Sequence, residues 1–242
     1  MRKLICILAL LPLLAFGTGA RQEVIFARYP QVAASHSFSL VQTPTVCGQT
    51  ANFNPTVTCT IPSTAAGNAI LIFGITGGAG VSSTTPASTT IATAYNNAAA
   101  LIIANVSASV TSVVINLSSN FDVSTFIVVE VAGLTTTTPL DTSVGYVNSA
   151  YSGTTSTGSL NTTSYNANDV IIGVANSNSF VTQWSMPGTG YTQLNSSYCY
   201  STNTICIWAE YKVVTSTGTY NPGVTQNVTG YAPIATTALK LR

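Results

Sequence analysis

Two glutamates are the residues best placed in this sequence to do chemistry. Glu130 lies inside the apolar run Ile127–Val131, and Glu210 lies inside Ile205–Val214. Asp122, Asp141 and Asp169 fall near the ends of similar runs. A pair of carboxylates about 5–10 Å apart can cleave a glycosidic bond, one acting as acid and the other as base or nucleophile. Nothing in the spacing brings any two of these five together. Glu130, flanked by apolar residues, is the candidate for partial burial and a perturbed pKa. The plainer reading is a solvent-facing glutamate, or one paired with Lys212. Asp141 and Asp169 most simply shape turns. A nucleophilic triad needs a positioned base, and His36 is the single histidine, in a segment that reads as a hinge. No catalytic constellation emerges, and the chain is expected not to be an enzyme.

The cysteines point to structure rather than catalysis. Cys6 lies in the N-terminal leader, leaving Cys47, Cys59, Cys199 and Cys206. An even number in an exported chain reads as two disulfides. Three pairings are open, and the local one, Cys47–Cys59 with Cys199–Cys206, is preferred because each pair brackets turn-rich sequence. Zinc would need a different ligand set, since there is no CxxC and only one histidine. No calcium loop is present. The glycine-rich stretch Gly74–Gly80 lacks the Lys-Ser/Thr and helix of a phosphate loop, and is expected to be a mobile loop. No metal or cofactor is expected. Trp184 and Trp208, with the tyrosines around Tyr198 and Tyr200, have the chemistry to stack on sugar rings, although aromatics in a β-sandwich more often fill a core or an interface. Sequons occur at Asn105, Asn116, Asn161, Asn195 and Asn227. If used for glycosylation, they belong at the surface.

The elements that must position these residues begin with an export signal. Arg2 and Lys3 precede the apolar run Leu4–Phe16, and Gly17-Thr18-Gly19-Ala20 supplies small residues for cleavage. This is the layout of a secretory signal peptide over residues 1–20. The run is too short to span a bilayer comfortably, and no later stretch suggests a transmembrane anchor. A secreted or cell-surface location follows. Only 5% of residues are charged, against about 25% in ordinary soluble domains. With no basic patch, nucleic acid is excluded as a partner. Polarity comes from Ser, Thr, Asn and Gln. Such a surface has little like-charge repulsion and permits close self-packing.

Helical periodicity is nearly absent. Short runs of Val, Ile, Thr, Phe and Tyr alternate with Gly, Asn, Ser and Pro, the pattern of an all-β antiparallel sandwich of jelly-roll or immunoglobulin-like kind. It occupies residues 37–242. Strands are expected at 37–42, 56–61, 69–75, 98–106, 110–117, 123–131, 143–147, 169–175, 191–194, 205–214 and 234–241. Ala69–Phe73 and Phe126–Val129 are apolar on both faces, which requires cover on both sides, from the same chain or another subunit. In 205–214, Ile205, Ile207, Ala209, Tyr211 and Val213 are expected inward, with Cys206, Trp208, Glu210 and Lys212 sharing the other face. A short echo links 64–74 with 166–173: a polar turn, then a buried strand ending at glycine. Residues 21–36 form a separate N-terminal extension. Glu23–Tyr29 is strand-like and Pro30 breaks it. Val24, Ile25, Phe26, Ala27 and Tyr29 form either the domain's own first strand or one donated to a neighbouring subunit's sheet edge.

The motifs occur in a recognisable order: Ser39-Leu40-Val41-Gln42, Ile61–Asn68 and Val129-Glu130-Val131-Ala132-Gly133-Leu134, then Pro139-Leu140-Asp141, Asn168–Gly173, Gly188–Leu194 and Tyr211-Lys212-Val213-Val214. In this order, over residues 37–241, the chain resembles uncharacterised secreted bacterial β-sandwich proteins. The resemblance implies a jelly-roll-like extracellular domain and no established reaction. The expected role is an extracellular structural protein, a homopolymer assembling into a pilus-like filament or surface layer by strand addition. The alternative is a carbohydrate-binding or adhesive module that recognises surface glycans.

Overall fold

The computed structural model describes residues 37–50, 54–76, 79–94, 98–120, 123–143, 156–159, 162–164, 166–177, 184–185, 188–194, 198–199, 206–226 and 234–242. The leader, the N-terminal extension and His36 lie outside these residues. Twenty strands and no helix are found among them. The first ten are β1 (Ser39–Leu40), β2 (Thr45–Thr50), β3 (Thr56–Thr60), β4 (Ala69–Thr76), β5 (Val81–Thr85), β6 (Thr89–Ala94), β7 (Ala98–Ile103), β8 (Ser112–Leu117), β9 (Val123–Ala132) and β10 (Leu140–Ser143). The rest are β11 (Ser156–Ser159), β12 (Thr162–Ser164), β13 (Asp169–Ser177), β14 (Trp184–Ser185), β15 (Thr192–Gln193), β16 (Tyr198–Cys199), β17 (Cys206–Val214), β18 (Gly218–Tyr220), β19 (Gly223–Gln226) and β20 (Ile234–Lys240).

The strands form antiparallel sheets. The first runs β1-β9-β4-β7-β6, with β2 continuing the β1 edge along β9. The second runs β10-β20-β13-β17-β15, with β16 also on β17. The third is β3-β8-β5, and two small sheets, β11-β19-β14 and β12-β18, complete the set.

The all-apolar strands are explained by cover on both faces. Along β4, Leu71, Phe73 and Ile75 enter one core with Val170, Ile172, Ile207 and Leu239 of the second sheet. The intervening Ile70 and Ile72 enter another core with Val57, Val113 and Ile115 of the third. The first sheet therefore lies between two others of its own chain. Period-2 alternation delivers successive side chains to opposite layers, so a strand buried on both sides has no polar position to show. Each fully buried Ile, Leu or Phe contributes roughly 1.5–3 kcal/mol. β8 has one covered face and alternates accordingly: Val113, Ile115 and Leu117 are buried between half-buried Ser112, Val114 and Asn116.

Cys47 on β2 is bonded to Cys59 on β3, with Cα atoms 5.4 Å apart. The bridge ties the third sheet to the edge of the first. Cys206 is disulfide-bonded as well, and Cys199 stands directly opposite it in the β16–β17 ladder.

Several sequence expectations need correction. The strand expected at 37–42 is reduced to Ser39–Leu40, and the stretch after it, read as turn-rich from Gly48, carries β2 as far as Thr50. Pairing with the long β9 overrides the local turn propensity there. Strands β5 and β6 were not expected. They are Ser/Thr-rich, and their order comes from partners β8 and β7. Val213 keeps the inward face of β17, opposite the buried Val170, but is 39% exposed rather than covered.

Candidate functional site

Glu130 is 1% exposed. Its neighbours Val129 and Val131 enter the core shared with the second sheet, so its own side chain projects from the opposite face of the first sheet. There Oε1 accepts hydrogen bonds from the Ala65 backbone N–H at 2.8 Å and from Asn68 Nδ2 at 2.7 Å. Gln42 Nε2 donates to Oε2 and also reaches the carbonyl oxygens of Pro62 and Ser63, both at 3.3 Å. One buried carboxylate thus fastens residues 62–68, the lead-in to β4, onto β9. Three N–H donors offset the cost of burying the charge. It is neither solvent-facing nor paired with Lys212, the two plainer readings of the sequence.

Glu210 is fully buried on the face of β17 that points away from the shared core, since Ile207 and Ala209 alternate into that core. Oε2 accepts from the Gly188 N–H at 2.8 Å and Oε1 from the Gly223 N–H at 2.9 Å. Burial pushes its carboxyl up to about 7, against the opposing hydrogen bonds of Gly188, Gly223 and the Trp208 side chain. Tyr191 lies nearby, 8% exposed, its hydroxyl pushed above the usual range by burial and then by the charges of Glu210 and Tyr220. Lys212 Nζ sits 5.5 Å from the Tyr191 ring centroid and 5.8 Å from that of Tyr220. Trp208, Glu210 and Lys212 thus share one face, as period 2 requires. What the sequence did not show is the closing of the Gly188 and Gly223 loops over it.

A carboxyl titrating near neutrality has the acid–base property a hydrolase uses. The paired chemistry still fails on geometry. Glu130 and Glu210 project from the outer faces of two sheets packed across a common core, and facing sheets stand about 10 Å apart. Their carboxylates cannot meet across one substrate bond.

The aspartates do come together. Asp169, fully buried at the start of β13, accepts from Ser164 Oγ at 2.7 Å. Asp141 on β10 is held by the Asn166 backbone N–H at 3.3 Å and by Asn166 Nδ2. Burial raises the Asp169 carboxyl to about 6; Ser164 opposes this, and the hydrogen bond and charge of Asp141 add to it. The group organises the turn between β12 and β13, as expected of turn-shaping aspartates. Beside it lies an open depression of about 290 Å³ lined by Thr135, Asn166, Asn168, Asp169 and Lys240.

The remaining sequence candidates divide as follows. Trp208 is 3% exposed, which removes it as an exposed platform for a sugar ring; the Trp184 side chain lies outside the described residues. Asn105 is exposed on a turn with φ 51°. The Asn116 amide is engaged on both sides, donating to Ser83 Oγ at 3.0 Å and accepting from Thr56 Oγ1 at 3.3 Å. Asn161, Asn195 and Asn227 lie outside the described residues, as do Val24–Tyr29. Among the described residues no group of three His, Cys, Asp or Glu could hold a metal ion, and no helix is long and apolar enough to cross a membrane.

No protein-family model, curated protein sequence or solved structure matches this chain.

Proposed function

We propose that the protein is an extracellular structural subunit that self-associates by β-strand addition, the donor being Val24–Tyr29. The observation that carries the reading is the terminal position of β6 in the first sheet: among the described residues it pairs with β7 alone. A terminal strand presents a row of backbone donors and acceptors, a template for an added strand. The leader-like N-terminus, the Cys47–Cys59 bridge and a chain with 5% charged residues agree with assembly outside the cell. The two buried glutamates agree as well, since both are committed to holding loops. A β-sandwich of the secreted bacterial kind is the architecture that fits this role.

Deleting residues 21–35 tests the reading. The truncated chain is expected to fold and remain monomeric by light scattering, whereas the chain beginning at Arg21 forms filaments or layers visible by electron microscopy. Assemblies unchanged by the deletion would show the mechanism to be wrong.

A further inference from the structure

The aspartates that meet at the start of β13 leave an oxygen unsatisfied. Asp169 is fully buried. Its Oδ2 accepts from Ser164 Oγ at 2.7 Å, but its Oδ1, shielded from solvent, accepts from no donor. A buried carboxylate oxygen without a partner is costly. The neighbouring Asp141 does not repair it, because its charge acts on Asp169 with the same sign. An ionised carboxylate only accepts, so two that face each other need a proton or a cation between them.

Hydrogen bonds fix the pair in place. Asn166 holds Asp141 through its backbone N–H and its side-chain amide. Ser164 Oγ reaches the Asn166 carbonyl oxygen at 2.6 Å as well as Asp169 Oδ2. The turn between β12 and β13 thus ties both carboxylates together. A second shielded oxygen without a partner, Thr135 Oγ1, lines the same open depression of about 290 Å³ as Asn166, Asn168 and Asp169. Two orphaned oxygens at one depression, beside a like-charged pair, call for a ligand that brings positive charge to oxygen.

We infer that Asp141 and Asp169, with the turn at Asn166–Asn168, form a calcium-binding site where β10, β12 and β13 meet. The available ligands are oxygens: two carboxylates, backbone carbonyls, and the amides of Asn166 and Asn168, in which a half-turn puts Oδ1 in place of Nδ2. No thiol or imidazole lines the depression. An all-oxygen set selects a hard cation. Calcium accepts six to eight oxygens in irregular geometry and completes its shell with water, whereas magnesium demands a near-ideal octahedron. The open depression admits those waters, and they supply Thr135 Oγ1 with a partner. Lys240 stands opposite Asp169 in the β13–β20 ladder and lines the same depression, which keeps the site weak. A Kd of about 0.1–1 mM is expected, the range of extracellular calcium modules. The ion fastens β10 to the turn that leads into β13. This holds within one copy of the chain and does not depend on strand addition.

The test titrates the chain beginning at Arg21 with calcium chloride in a calorimeter at pH 7.5, after EDTA treatment and exchange into chelator-free buffer. One saturable site is expected, weakened at least about tenfold in Asp141→Asn, since affinity follows the charge of the ligand set. Asp141 is only half-buried, and circular dichroism checks that the variant is folded. Hydrogen exchange of the unaltered chain, with and without calcium, gives a readout that needs no variant. Protection is expected to rise at residues 141–143 and 166–170. No saturable binding below about 10 mM, affinity unchanged in Asp141→Asn, or protection gained only elsewhere each overturn the inference. A pair bridged by a proton alone gives the first of these results.

Discussion

Gly173 stands directly opposite Glu210 in the β13–β17 ladder, and its missing side chain is the space into which the Glu210 carboxylate and Pro222 fold. A Cβ there would lie 2.6 Å from Pro222 Cβ and 3.2 Å from Glu210 Cγ. Replacement by alanine must displace the Pro222–Gly223 bend that donates to the carboxylate. Gly173→Ala is expected to cost about 1–3 kcal/mol in chemical denaturation, the range for overpacking. Gly80→Ala, whose Cβ would meet only Ser118 Oγ at 3.8 Å, is expected to change stability by less than about 0.5 kcal/mol. Equal effects at the two sites would remove the packing argument.

The buried carboxyls set an unusual pH dependence. Glu210 titrates near 7 in the folded chain against an ordinary 4.5, and Asp169 near 6 against 3.8. Between those values the folded chain holds protons that the unfolded chain has released. Their contribution to stability is therefore fully present below about pH 4 and is lost as pH rises toward 7. For Glu210 the decline is on the order of 3 kcal/mol. Urea midpoints measured from pH 4 to 8 are expected to fall with rising pH. In Glu210→Gln the fall is expected to be shallower and to level off near pH 7, about one unit above the Asp169 midpoint near 6. A midpoint that rises over this range in the unaltered chain would contradict the assignment.

Glu130 makes a local prediction. Glu130→Ala leaves the Ala65 N–H and the amides of Asn68 and Gln42 without their acceptor. A cost of about 2–4 kcal/mol is expected, as for a buried charged acceptor removed from its donors. Hydrogen exchange should show the effect as lost protection at residues 62–68, greater than in β13 or β17. Uniform loss across the domain would mean that Glu130 does not act through this segment.

The Cys47–Cys59 bridge fastens the third sheet to the edge of the first. Replacing both residues by alanine is expected to lower stability by about 2–4 kcal/mol. The third sheet, β3, β5 and β8, should become the first part of the domain to exchange its amides. If the double variant is as stable as the parent, the shared apolar core alone holds that layer.

Period 2 and turn chemistry made a good part of this molecule legible in the sequence. The central strands β4, β9 and β13 are rich in branched apolar residues, and burial on both faces leaves such runs no other reading. Alternation placed Ile207, Ala209 and Tyr211 against Trp208, Glu210 and Lys212 on opposite faces of β17, as they stand. The nearness of Cys47 and Cys59 in the chain made their local pairing the cheapest to form. Tertiary structure alone decided what covers those faces, because an apolar side chain carries no record of which sheet it will meet. The same reason hides the Ser/Thr-rich strands β5 and β6, which are ordered by pairing with β8 and β7 rather than by their own composition. It also separates Glu130 from Glu210. Both read alike in the sequence as carboxylates within strands, but the sheets that carry them turn them to opposite sides of one core, and each is closed by loops distant in sequence. The placing of β1 and β6 at opposite edges is likewise a property of the sheet order, which no local stretch of residues contains.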